Sequence, residues 1–249
     1  AFSRLGTHLY LLNPEMSASQ FMATQERLRF DFVVYDPQLA HFMTEPAHQK
    51  SSLPAYHPSE PSIDRLSSNR NPKAPPVHKA KPGNIVVMTG GTTGQPKAAS
   101  RKPSVFGFLP PFCALLTKAH LDTHRSLYIA TPLCHGYGVA MLLIGVVLAR
   151  EIYICERFDA AKACSLIATN DIQAVTLMPL MLQRMLKVNP AALSSLGCII
   201  SGSALLPPTV AQATIEQLGE KLFNLYGTSE AGFCIIGTPE EHVRRLEEL

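Results

Sequence analysis

Apolar and polar residues fall into short blocks along this chain, and the blocks change period in a regular way. His8-Leu9-Tyr10-Leu11-Leu12 is an apolar run of strand length, and Phe32-Val33-Val34-Tyr35 is another. Between them, apolar residues recur at helical spacing over about 18–28, and Ser17 with Gln20 forms a capping box at the start of that stretch. The spacing therefore predicts strand, helix, strand. From Asn84 onward the same alternation is sustained. Strands are expected at about 84–88, 127–130, 151–155, 173–177, 197–201 and 221–225, and helices near 104–119, 138–149, 159–169, from Pro179 onward, and 207–219. Asp159 serves as an N-cap, and Pro179 suits the first position of a helix, where no N–H partner is lost.

Strands separated by helix-length crossovers imply an α/β fold, a mostly parallel sheet with helices on both faces. Residues 46–83 break the rhythm. They hold eight of the twenty prolines and many serines, which reads as a linker or long surface loop between a 1–45 strand–helix–strand part and an 84–249 α/β subdomain.

Composition narrows the classes. Hydrophobic residues make up 46% and charged residues 16%, which suits a packed core and excludes a disordered chain. A net charge of +3 with scattered basic residues argues against a nucleic-acid partner. The longest apolar stretch, Gly138 to Ala149, has twelve residues, too few to span a bilayer, and reads as a buried helix. The six cysteines show no metal-ligand spacing, and most stand in apolar runs as buried thiols do, which fits a reducing, cytoplasmic location. Cys134 neighbours His135, but adjacent residues on an extended segment point to opposite faces, against a nucleophile pair.

The candidate chemistry begins after the run Ile85-Val86-Val87-Met88. Thr89-Gly90-Gly91-Thr92-Thr93-Gly94-Gln95-Pro96-Lys97 packs glycines, threonines and a lysine into one turn. Glycines let backbone N–H groups approach phosphate oxygens, hydroxyls add donors, and the lysine adds a point charge. A Walker loop is excluded by spacing, because Pro96 precedes Lys97 and Ala98 stands where a magnesium-binding hydroxyl belongs. The proline also disfavours helix at Gln95, so an extended loop is expected.

This segment resembles the phosphate loop of the adenylate-forming superfamily: acyl-CoA synthetases, peptide-synthetase adenylation domains and luciferases. Asn224-Leu225-Tyr226-Gly227-Thr228-Ser229-Glu230 is similar to that family's Tyr-Gly-x-[Ser/Thr]-Glu motif. Ser201-Gly202-Ser203-Ala204 resembles its Gly-Gly-Ala stretch, with Ser203 replacing a glycine. Pro132-Leu133-Cys134-His135-Gly136-Tyr137-Gly138 resembles its Pro-Leu-x-His segment. Four motifs stand in the family's order.

The resemblance implies ATP-dependent activation of a carboxylic acid to an acyl-adenylate and then to a coenzyme A thioester, in a ligase of fatty-acid metabolism. It implies that Thr89 to Lys97 hold the β/γ-phosphates, that Thr89 and Glu230 hold Mg²⁺, and that Thr228 and Ser229 contact the α-phosphate. Asn224, Tyr226, Gly227, Ser203 and Ala204 would surround the nucleotide, with His135 beside the acyl carboxylate and Lys97, His135 and Glu230 as the catalytic set. Activation of an aryl or amino acid, or a non-catalytic nucleotide-binding module, remain open, as does homo-oligomer formation. The family pattern continues past the glutamate to a ribose-binding aspartate, a hinge and a C-terminal domain. Nineteen residues follow Glu230 here, and the chain begins Ala1-Phe2-Ser3. The expectation is an internal portion, lacking the C-terminal domain and inactive alone.

Overall fold

A computed structural model describes residues 6–43, 52–59, 61–68, 83–89, 97–99, 105–228 and 232–247. Its centre is a six-stranded sheet. Strands β6 (Ser126–Ile129), β7 (Glu151–Ile154), β8 (Ala174–Leu177), β9 (Cys198–Gly202) and β10 (Leu222–Thr228) run parallel, and β11 (Gly232–Gly237) closes one edge antiparallel, in the order β11-β10-β9-β8-β6-β7.

Helices cover both faces, as the alternation of strand and helix patterns implies. With α1 at Ala18–Leu28 and α2 at Ile63–Ser68, the helices that matter here are α3 (Val105–Ala119), α4 (Gly136–Val147), α5 (Ala160–Asn170), α6 (Pro179–Val188) and α7 (Pro208–Leu218). A last helix, α8, spans Pro239–Glu247. Strands β6, β8 and β9 are buried throughout, so their side chains feed two cores by simple alternation. Tyr128, Val175, Leu177 and Ile199 pack against Ile167, Leu182 and Met185 of α5 and α6. Leu127, Ile129, Ala174 and Ile200 pack against Leu115, Met141 and Ile144 of α3 and α4. Each such fully buried side chain stabilises the fold by roughly 1.5–3 kcal/mol.

The expected starts are present. Ser17 and Gln20 form the capping box of α1, Asp159 accepts from the Lys162 N–H at 2.8 Å, and Pro179 opens α6.

Differences from the sequence reading have physical causes. Strand β4 (Ile85–Thr89) joins not the large sheet but a separate one, between β1 (Leu9–Leu11) and the antiparallel β5 (Lys97–Ala99). Inside the Pro/Ser-rich stretch, β3 (Ser52–Pro54) pairs in parallel with β2 (Val33–Tyr35), and α2 follows. Three-residue strands are too short to leave a readable period. Helix α4 is not buried all round, since Leu143, Val146 and Val147 on its outer side are exposed. Nor are most thiols buried: Cys164 and Cys198 are, whereas Cys113, Cys155 and Cys234 are exposed and Cys134 lies between. All six are free. Among the described residues no helix is long and apolar enough to cross a membrane.

Candidate active site

The carboxyl ends of β6, β8, β9 and β10 lie side by side, and three of the four sequence motifs, the His135, Ser201–Ala204 and Asn224–Thr228 segments, stand at that edge. In an open α/β sheet this edge is where a crevice forms, because the connecting chain there turns to opposite faces. Ser201 and Asn224 are register partners on β9 and β10. Ser201 is fully buried, and neither its Oγ nor the buried Asn224 Oδ1 has a hydrogen-bond partner. The Thr131 and Thr176 Oγ1 atoms, near the ends of β6 and β8, are buried and unpartnered as well. Buried polar atoms cost free energy when left unpaired, so the Ser201–Asn224 pair marks a place for polar ligand atoms or water, whereas Thr176, the register partner of Ile200, belongs to the other face of the sheet.

Beyond Gly202 the chain leaves β9 abruptly. Ser203 adopts a left-handed backbone at φ 63°, and Ser203, Ala204 and Leu205 are exposed. The neighbouring motif lies inside a strand rather than after one. Asn224 to Thr228 belong to β10, and the pairing with β11 slips between Tyr226 and Gly227, leaving Cys234 of β11 as the extra residue. Such a bulge twists the ribbon and re-aims the residues beside it. Tyr226 there is 60% exposed, leaving its ring available for stacking.

His135 is the N-cap of α4, with an extended backbone, an exposed side chain and no capping hydrogen bond from that side chain. The helix start is fixed tightly against β6. A Cβ on Gly138 would collide with the Pro132 carbonyl oxygen. Two residues past His135, Tyr137 is buried and its hydroxyl donates to the Ile200 carbonyl at 2.8 Å. Burial holds that hydroxyl well above its ordinary pKa, so it stays a donor. The structure thus ties the His135 segment to the strand that leads into Ser201–Ala204. Burial likewise raises the Cys134 thiol, against a nucleophilic role.

Thr89 and Lys97 face each other as register partners at the open end of β4 and β5. Both ends of the predicted phosphate loop are therefore held together. The loop itself, including Gly90, Gly91, Thr92, Thr93 and Gly94, lies outside the described residues, as do Ser229 and Glu230. Strand pairing does not join the β4–β5 sheet to β9 and β10. Among the described residues no group of three His, Cys, Asp or Glu is placed to hold a metal ion.

Sequence reasoning gave Tyr137 no role, although it stands in the His135 motif, and missed Thr131 and Thr176. A signal for Tyr137 was present: one aromatic hydroxyl flanked by Gly136 and Gly138 at the start of an otherwise apolar helix. The threonines carry no such mark, because a hydroxyl in a buried strand looks like ordinary β-branched filling.

A family model described as AMP-binding enzyme matches residues 1–248. Among curated relatives, a 2-succinylbenzoate–CoA ligase of Oceanobacillus iheyensis is 27% identical over 165 residues, covering 65% of this chain and 34% of the relative. A medium/long-chain-fatty-acid–CoA ligase, FadD8 of Mycobacterium tuberculosis, is 29% identical over 157 residues, covering 60% of this chain and 26% of the relative. The chain thus spans about a third of the length of these relatives, or less. Among solved structures, the amide bond synthetase McbA of Marinactinospora thermotolerans superposes with a TM-score of 0.76 at 23% identity, over 98% of this chain and 50% of that one. At that identity the likeness speaks for the fold.

Proposed function

The chain belongs to the AMP-binding enzyme family, and from that membership we propose that the whole protein activates a carboxylic acid with ATP and passes the acyl group to coenzyme A. A carboxylate oxygen attacks the α-phosphorus, the bond to pyrophosphate breaks, and an acyl-adenylate forms. The thiol sulfur then attacks the acyl carbon and AMP leaves. Both displacements need developing negative charge neutralised and the reacting groups held in line.

The observation that carries this reading is the edge where Ser201 and Asn224 present buried, unpartnered oxygens beside exposed Tyr226 and Ser203. An adenine and ribose supply polar atoms for such groups and a face for the tyrosine. Asn224, Tyr226, Gly227, Ser203 and Ala204 are assigned to the nucleoside, Thr228 and Ser229 to the α-phosphate, and Thr89 to Lys97 to the β/γ-phosphates. Thr89 and Glu230 are assigned to Mg²⁺, for which a hydroxyl and a carboxylate are suitable hard donors. The register pairing of Thr89 with Lys97 supports the phosphate assignment, since it sets hydroxyl-bearing and cationic residues at the two ends of one turn. His135 is assigned to the acyl carboxylate.

The acid is a fatty acid or an aromatic one. FadD8 favours the first and the succinylbenzoate ligase the second. The test is ATP–pyrophosphate exchange by the whole protein over a panel of both kinds of acid, with ATP·Mg²⁺ calorimetry on wild type, Lys97→Ala and Glu230→Ala. Acid-dependent exchange, with nucleotide affinity reduced at least about tenfold in each variant, is the expected result. Nucleotide binding without exchange for any acid would instead establish a non-catalytic module.

A further inference from the structure

Two hydroxyls lie in the layer between the large sheet and α4, among side chains that are otherwise apolar. Ile129 and Thr176 are register partners on β6 and β8, and the Ala130 N–H still donates to the Thr176 carbonyl at 2.9 Å, so the pairing runs on to the residue before Thr131. Leu127 and Ile129 pack on the α3 and α4 side, and alternation puts Thr131 and Thr176 on that same side as diagonal neighbours. Thr131 is 4% exposed and Thr176 is fully buried, and neither Oγ1 has a hydrogen-bond partner. The first turn of α4 is held to the same strands at two points. A Cβ on Gly138 would stand 3.0 Å from the Thr131 carbonyl oxygen, and the Tyr137 hydroxyl donates to the carbonyl of Ile200, the register partner of Thr176 on β9.

We infer that a single water is bound beneath the first turn of α4, shared between Thr131 and Thr176, and that it fastens this turn to the large sheet. Diagonal neighbours on paired strands stand about 7–8 Å apart, too far for their hydroxyls to bond directly. One water, with bonds of about 2.8 Å to each oxygen, spans the remaining gap. Each hydroxyl both donates and accepts, so the water can take a proton from one and give one to the other. Without it two polar atoms are buried unpaired in one apolar layer, a cost that an internal water removes. The site is separate from Ser201 and Asn224, which share the opposite face with Leu177. It belongs to the fold and needs no bound nucleotide.

A high-resolution crystal structure of the whole protein tests the site directly. A water peak within hydrogen-bonding distance of both Oγ1 atoms is expected; no peak there, or hydroxyls bonded to protein groups instead, overturns the inference. Thr131→Val and Thr176→Val keep the side-chain shape and remove the hydroxyl. Amide exchange is then read at Val139, whose N–H closes the first turn on the His135 carbonyl at 3.1 Å. It is expected to speed at least about tenfold in each single variant, and no further in the double variant, because the water is lost only once. Unchanged exchange at Val139, or effects that add in the double variant, would refute a shared water. Should a valine variant fail to fold, Thr131→Ser and Thr176→Ser retain the hydroxyl and are expected to keep both the water and the wild-type exchange rate. Loss of the water from a folded serine variant overturns the inference as well.

Discussion

The two sheets that carry the candidate site are built on different principles. In the six-stranded sheet, β8 and β9 are buried on both faces, and their ends are held by helices on either side. In the three-stranded sheet, β4 alternates: Val86 and Met88 are buried while Ile85 is 39% exposed. Its neighbour β1 contributes three residues. The first sheet can hold side chains at fixed positions beside a nucleoside. The second offers a hairpin whose two ends are pinned by the Thr89–Lys97 pairing and whose core is thin. Buried packing among the described residues is thus concentrated where the base and the acid are assigned, and thinner where the phosphates are assigned.

The sharpest way to break that comparison is to remove core volume from each side. Leu177→Ala in β8 empties a fully buried position and is expected to cost about 2–5 kcal/mol of stability. Ile85→Ala in β4 of the three-stranded sheet, where Ile85 is 39% exposed, is expected to cost no more than about 1 kcal/mol. Urea melts of the chain measure both. Equal losses would mean that the small sheets share the large sheet's core.

The same contrast governs what the sequence made legible. The parallel sheet was readable because strands such as Ala174–Leu177 are continuous apolar runs between recognisable caps at Asp159 and Pro179. The hairpin partner Lys97-Ala98-Ala99, the three-residue β3 and the closing strand β11 were not, for they are too short or too mixed to show a period. Assignment of β4 to a second sheet was equally invisible, since an apolar run does not name its neighbour. At the site, the motif residues were legible by type. The buried oxygens of Thr131 and Thr176 and the Tyr137–Ile200 hydrogen bond were not, because they arise from packing across strands far apart in sequence.

Close backbone approaches sharpen the comparison next. Gly138→Ala places a Cβ against the Pro132 and Thr131 carbonyls, which β6 holds still, and is expected to cost about 1–3 kcal/mol and to displace His135. Gly83→Ala is nominally worse, with the Cβ driven into the Thr7 carbonyl. Because that contact belongs to the thin sheet, the expected outcome is local: faster amide exchange at Leu9, whose N–H donates to the Asn84 carbonyl, with a smaller change in melting. A larger global loss in Gly83→Ala than in Gly138→Ala would reverse the ranking of the two regions.

Alkali probes the large sheet alone. Burial pushes the Cys198 thiol from its ordinary 9.0 up to about 12. The folded state then keeps a proton that the unfolded state releases. Stability from this group is therefore complete below pH 9.0 and is lost as pH rises from there to about 12, by about 1.4 kcal/mol per pH unit. Tyr128 and Tyr137, raised by the same cause, act in the same direction. Chemical denaturation between pH 8 and pH 11 is expected to show a declining midpoint, with Cys198→Ala flattening part of the decline; a midpoint independent of pH would contradict a dry interior behind β9.

The smallest effect tests the site itself. Among the described residues five non-glycine residues have left-handed backbones, and four of them, Arg29, His120, Ala149 and Asp171, stand just past helix ends, where that conformation terminates a helix in the ordinary way. Ser203 is the exception: it follows a strand, at the edge assigned to the nucleotide, where the resembling family carries glycine. A non-glycine residue there costs roughly 1 kcal/mol, and a strained residue at a candidate site is worth relieving to see what the strain holds. Ser203→Gly is expected to stabilise the chain by a few tenths of a kcal/mol up to about 1 kcal/mol, the gain reduced by glycine's greater freedom when unfolded. The same change is expected to speed amide exchange at Ala204 and Leu205, since the serine limits where that turn can go. A loss of stability would show that the Ser203 side chain, not the rigid sheet beneath it, fixes the turn, and the assignment of rigidity to β9 would fail at the point where it matters most.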